Sequence, residues 1–84
     1  MINIRDKDYL LAFGIYLKDV RLRMGFTQKQ LALDSDISIS QISRIERGLV
    51  NVSICTLQVI SQALEQPLSD MLQDFDNLEF KIVD

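Results

Sequence analysis

The sequence predicts an all-α fold of five short helices, and three observations predict it. Apolar residues recur at helical spacing through most of the 84 residues. Two segments open with the Ser/Thr-x-x-Gln pattern of a helix start that bonds to itself. Gly25, Gly48 and Pro67 fall between the periodic segments, where a helix has to end.

The first helix, about 8–24, carries one apolar stripe: Leu10, Phe13, Leu17, Val20 and Met24, at spacings of 3, 4, 3 and 4. Asp8 is the expected N-cap, and Gly25 ends the helix in a left-handed turn. Thr27-Gln28-Lys29-Gln30 reads as a capping box, opening a second helix, about 28–35, that buries Leu31 and Ala32. Asp36-Ile37 interrupt, and Ser38-Ile39-Ser40-Gln41 reads as a second capping box. In the third helix Ile42 and Ile45 share a face, while Ser40, Ser43, Arg44 and Arg47 point elsewhere; Gly48 closes it. Two short helices, each with its own start signal, form a helix–turn–helix. Leu49 to Val52 is a loop. Ser53 caps a fourth helix, about 54–65, with Leu57, Ile60, Ala63 and Leu64 inward. Gln66-Pro67 breaks the chain before a brief fifth helix marked by Leu68, Met71 and Leu72. Leu78-Glu79-Phe80-Lys81-Ile82 alternates with period two, a short strand-like tail, for which only Ile2-Asn3-Ile4 offers a partner within the chain.

Composition narrows the function. Hydrophobic residues at 48% and charged residues at 25% exclude disorder throughout, and 84 residues make one domain at most. No apolar run reaches the ~18–20 residues of a membrane span, and no signal-peptide pattern opens the chain. The lone cysteine, Cys55, forms no internal disulfide, which points to a reducing, cytoplasmic setting; it reads as a small core residue at the start of the fourth helix. Histidine is absent, so the usual zinc sites and His-based triads are excluded. No enzyme activity, metal, cofactor or small-molecule ligand is expected. Net charge is −3, yet residues 1–47 hold eight basic and six acidic side chains, and residues 48–84 hold one basic (Lys81) and six acidic. Salt limits each charge's reach to ~8 Å, so a basic face on an acidic protein can still meet DNA.

Phe13-Gly14, Leu17, Arg21, Arg23, Gly25-Phe26-Thr27-Gln28, Leu31-Ala32, Ile37-Ser38, Ile42-Ser43, Ile45-Glu46 and Gly48 resemble the phage-repressor/Cro-type (XRE) helix–turn–helix family, with Ser53, Leu57, Ile60, Ala63-Leu64 and Leu72 continuing the match. Asp36 departs from the family, standing where a turn glycine is usual, and Pro67 stands where a capping serine is usual. The resemblance implies a compact five-helix lambda-repressor-like DNA-binding domain over residues 9–73, with an N-terminal extension at 1–8 and a C-terminal tail at 74–84 for dimerisation or a partner.

The residues favour the same reading. A helix entering the major groove needs one buried face and one face of short polar side chains with a cationic arm. Ser38, Ile39, Ser40, Ser43 and Arg44 are the base-contacting candidates. The fork of Arg44 suits guanine, with a surface ion pair as the alternative. Ile39 suits a thymine methyl or a staple against the second helix. Thr27, Gln28, Lys29, Gln41 and Arg47 are the phosphate candidates; the clamp role of Gln28 is implied by the resemblance and fits a helix N-terminus. Arg21 and Glu46 are implied by the resemblance to form a partly buried structural ion pair.

One recognition helix touches few base pairs, so a homodimer on a palindromic operator is expected, with half-sites about 34–36 Å apart. Leu49, Val50, Val52, Phe75, Leu78, Phe80 and Ile82 are the interface candidates. Three functions fit: a transcriptional regulator binding double-stranded DNA, of which restriction–modification controllers are a similar-sized subgroup; an antitoxin whose tail binds a toxin protein; and a protein-interaction module without DNA.

Overall fold

In the computed structural model residues 6–78 are described, and among them the chain runs α1 (Lys7–Arg23), α2 (Gln28–Ser35), α3 (Ile39–Glu46), α4 (Ile54–Ala63), α5 (Leu68–Asp76). The helix starts follow local chemistry. Asp6, not Asp8, caps α1, its Oδ1 accepting the Tyr9 N–H at 3.0 Å. The helix begins earlier because its first turn has a packing role: the Tyr9 ring meets Phe75 edge-on, centroids 5.2 Å apart. Asp8 sits in the first turn, where a negative charge suits the helix dipole.

Four helices end alike. In each, a residue with positive φ lets two backbone N–H groups fold back onto the last free carbonyls. Gly25 (φ 81) and Gly48 (φ 73) do this for α1 and α3. Asp36 (φ 57, ψ 40) does it for α2, with the Ile37 N–H bonded to the Ala32 carbonyl at 3.0 Å. Glu65 (φ 57) does it for α4, with the Gln66 N–H on the Ser61 carbonyl at 2.9 Å. α4 therefore stops at Ala63, two residues short of expectation.

α1 supplies much of the core. Ala12, Phe13, Tyr16, Leu17 and Val20 enter the core, whereas Met24, the expected end of the stripe, is a half-exposed cap. Leu31 of α2, Ile42 of α3, Ile60 of α4 and Met71 and Phe75 of α5 are fully buried against them. Each such side chain contributes about 1.5–3 kcal/mol by leaving water.

Three expectations are corrected here. Cys55 is exposed rather than a core residue, because α4 turns Leu57, Ile60 and Leu64 inward and leaves its first turn outside. Phe75 is not a surface residue of the tail. The α5 stripe of Leu68, Met71 and Leu72 continues for one more turn, and Phe75 sits at the centre of Tyr9, Phe13 and Tyr16, with no exposed surface. Leu78 follows α5 outside any strand and is half-buried against the same core. The remainder of the strand-like segment, with Phe80 and Ile82, lies outside the described residues, as does Ile2-Asn3-Ile4.

Candidate nucleic-acid interface

α3 presents two unlike faces. Ile42 and Ile45 are 0% and 2% exposed, and Glu46 is buried beside them. On the other side Ser40, Arg44 and Arg47 are exposed and Ser43 is half-buried. Ser38 caps the helix, its Oγ accepting the Gln41 N–H at 3.1 Å. The expected second capping box is thus half formed, since the Gln41 side chain makes no return bond. The Thr27 box is complete: Thr27 Oγ accepts the Gln30 N–H at 3.0 Å, and Gln30 Oε1 accepts the Thr27 N–H at 2.8 Å.

Arg44 makes no ion pair or hydrogen bond through its side chain among the described residues, so the surface-pair alternative is not realised in this structure. Arg47 lies back along the helix end, its Nε donating to the Ser43 carbonyl at 3.3 Å. Ile39, 49% exposed, stands on the flank toward α2, at a cleft of about 500 Å³ shared with Lys29, Ala32, Leu33 and Asp36.

The position of α3 is set by backbone contact with α1. A Cβ at Gly14 would lie 2.5 Å from the carbonyl oxygens of both Ile45 and Glu46, so only glycine lets the two helices approach this closely. Gly48 abuts Leu11 in the same way, 2.6 Å from its Cα to a hypothetical Cβ.

A buried polar network extends from this contact to α2. Arg21 donates from Nε to Glu46 Oε2 at 2.6 Å and from Nη2 to Oε1 at 3.0 Å. The two side chains are 6% and 3% exposed. Arg21 Nη1 reaches the Phe26 carbonyl at 2.8 Å, and Gln28 Nε2 donates to Glu46 Oε1 at 3.0 Å. No described buried side-chain polar atom is left without a partner. The pair implied by the resemblance is therefore present. The bond from Gln28 to Glu46 carries no signal in the sequence, because the two are 18 residues apart on different helices.

At the start of α2 the backbone N–H groups of Gln28 and Lys29 precede the first intrahelical bond and face outward from the helix end. Lys29 is exposed, and its ammonium makes no ion pair among the described residues. Two donors and a cation thus stand beside the open face of α3.

The dimer candidates are dispersed. Leu49 is 48% exposed, whereas Val50 and Val52 are half-buried against their own core. Exposed apolar residues outside that set include Leu11, Ile15 and Leu22, spaced along the outer side of α1, and Leu33 and Ile54, the most exposed of all.

Two short helices, each with its own side-chain N-cap and joined by a left-handed turn at Asp36, with a polar outer face on the second, define a helix–turn–helix protein of the DNA-binding regulator class. The chain belongs to the XRE-type helix-turn-helix family, whose profile matches residues 17–71. It is 38% identical over 69 residues to the control protein C.BamHI of Bacillus amyloliquefaciens, spanning 81% of this chain and 84% of that one. The restriction-modification controller protein C.AhdI of Aeromonas hydrophila superposes with a TM-score of 0.71 at 31% identity, over 74% of this chain and 94% of that one. The controller C.Esp1396I, solved as a tetramer with its natural 35-base-pair operator, gives a TM-score of 0.77 at 29% identity, over 90% of this chain and 96% of that one.

Proposed function

We propose that this protein is a cytoplasmic regulator of the restriction–modification controller type, acting as a homodimer on a palindromic operator. The observation that carries this reading is the outer face of α3: two buried isoleucines seat the helix, and Ser40, Ser43 and Arg44, which has no ion pair among the described residues, line the opposite side. The ~12 Å major groove admits one α-helix presenting such a face. Arg44 reads a guanine edge, with Ser38, Ser40 and Ser43 contributing polar contacts and Ile39 meeting a thymine methyl at the α2 flank. Thr27, Gln28 and Lys29 receive one phosphate at the start of α2, and Gln41 and Arg47 hold a second stretch of backbone. The controllers among its relatives favour this role over an antitoxin or a DNA-free module.

Selection of duplexes from a random pool by the purified protein tests the reading. The expected product is a two-fold symmetric motif with half-site centres one DNA turn apart, about 34–36 Å. An unenriched pool, or an affinity independent of salt, would refute it.

A further inference from the structure

Within the buried network Glu46 accepts from both α1 and α2. Its Oε1 takes bonds from both Arg21 and Gln28, each at 3.0 Å, and its Oε2 takes Arg21 Nε at 2.6 Å. The third arm of Arg21 holds the Phe26 carbonyl at 2.8 Å. Phe26 and Gln28 flank Thr27, the residue that caps α2. One ion pair therefore grips the start of α2 on both sides of its cap, and that pair is anchored at the last residue of α3.

We propose that Glu46 is a positioning residue for the DNA-backbone grip. Through Gln28 it ties the helix start that receives a phosphate to the end of the helix that reads bases. The inference rests on the phosphate role proposed above for Gln28. A free glutamine side chain must be ordered when DNA arrives, at a cost in rotamer entropy. A carboxylate only accepts, so Glu46 selects the amide orientation that presents nitrogen to it, and the second Nε2 hydrogen stays available as a donor. The bond thus prepares Gln28 before DNA binds, and preparation of this kind raises affinity without adding a contact. Arg21, buried and held by the same carboxylate, keeps Glu46 from swinging out.

The test uses the duplex recovered by selection and four proteins: the unaltered chain, Gln28→Ala, the double variant Arg21→Met with Glu46→Leu, and all three changes together. Removing both charges leaves no ion unpaired, so the fold is expected to survive. Gln28→Ala alone should weaken binding about tenfold or more, the worth of a hydrogen bond to a charged group. In the double-variant background the same change should cost under about twofold, because Gln28 is already unprepared. Equal losses in the two backgrounds would overturn the positioning role and leave the phosphate role intact. No loss from Gln28→Ala in the unaltered chain would remove both. If the double variant fails to melt cooperatively, Glu46→Asp replaces it; it keeps the charge on Arg21 and falls short of Gln28. In the free protein the Gln28 side-chain amide protons, followed by NMR, should exchange with solvent at least tenfold faster in either variant. Unchanged exchange would also overturn the proposal.

Discussion

Gly14→Ala places a methyl group where α1 and α3 meet backbone to backbone. The new carbon would stand 2.5 Å from two carbonyl oxygens and 2.7 Å from a carbonyl carbon of Glu46, against the 3.4 Å at which ordinary contact begins. The helices must part by about 1 Å, since neither neighbour is a side chain that can rotate away. Overpacking of this kind costs about 1–3 kcal/mol, and the gain in helix propensity from Gly to Ala returns about 1. Because two backbone groups are struck at once, the upper part of that range applies, and a net loss of about 2 kcal/mol is expected. For a domain of this size that lowers Tm by roughly 8–16 °C. The displaced atoms belong to Ile45 and Glu46, so DNA affinity should fall together with stability. Gly25→Ala is the control: φ is +81 but nothing lies within 4 Å, so it should cost about 1 kcal/mol and leave the geometry of α3 unchanged. Thermal melts and a binding titration read both effects. A Gly14→Ala protein that melts at or above the parent temperature would refute the close-approach argument.

Four further outcomes are expected. Arg44→Ala should relax preference at one base position by about 1–3 kcal/mol, measured with single-substitution duplexes; a uniform loss across the panel would count against base readout. Lys29→Ala should weaken all duplexes alike and reduce the slope of log affinity against log salt by about 1. Glu65→Gly should raise stability by about 1 kcal/mol in a urea melt, because glycine meets no penalty at φ 57. The Tyr16 hydroxyl donates to Asp74 Oδ2 at 3.0 Å, and burial together with that carboxylate pushes its pKa from 10.0 up to about 12. The folded value exceeds the unfolded one, so this contribution is complete below pH 10 and is lost as pH rises toward 12; it amounts to at most about 3 kcal/mol. Urea melts from pH 8 to 12 should show a steeper loss in the parent than in Tyr16→Phe, and parallel curves would contradict it.

The local chemistry of the chain made the helices readable. Thr27, Ser38 and Ser53 each cap the helix that follows, as their side chains and spacing predict. Gly25 and Gly48 end helices where glycine has no rival. Glu65 does the same work with no such signature, so the sequence pattern predicts an α4 that runs on to about 65. At the site, the alternation of Ile42 and Ile45 with Ser40, Ser43 and Arg44 was enough to identify two faces. What connects those faces to the rest of the protein was not readable: the Gln28–Glu46 bond and the contact of Gly14 with the end of α3 join residues 18 and more positions apart. Periodicity reports which side of a helix is buried and is silent on the partner. The Phe75 assignment failed for a related reason. Leu68, Met71 and Leu72 define a stripe that ends one turn early, and Phe75, the aromatic that completes it, lies beyond its pattern.

An acidic protein meeting DNA is resolved by where its charges stand. Glu46, the acidic residue within α3, is buried and matched by Arg21, so neither adds to the field outside. The cations left on the α2–α3 face are Lys29, Arg44 and Arg47, with Asp34 and Asp36 at the far end of α2. Asp70, Asp74 and Asp76 lie on α5, which packs on α4 and the aromatic end of α1, while α3 packs on α1 and α2. Salt limits the reach of each of these charges to ~8 Å. In the binding mode proposed above, the potential a phosphate meets at the start of α2 is set by Lys29 and two backbone donors, and the net charge of −3 bears chiefly on solubility. Moving that acidity is the decisive perturbation. Neutralising Asp70 and Asp76 to Asn should leave DNA affinity within about twofold at ~0.15 M salt, whereas Asp34→Asn should strengthen it. Equal gains from both changes, measured by titration at that salt, would mean that the whole-molecule charge governs binding after all.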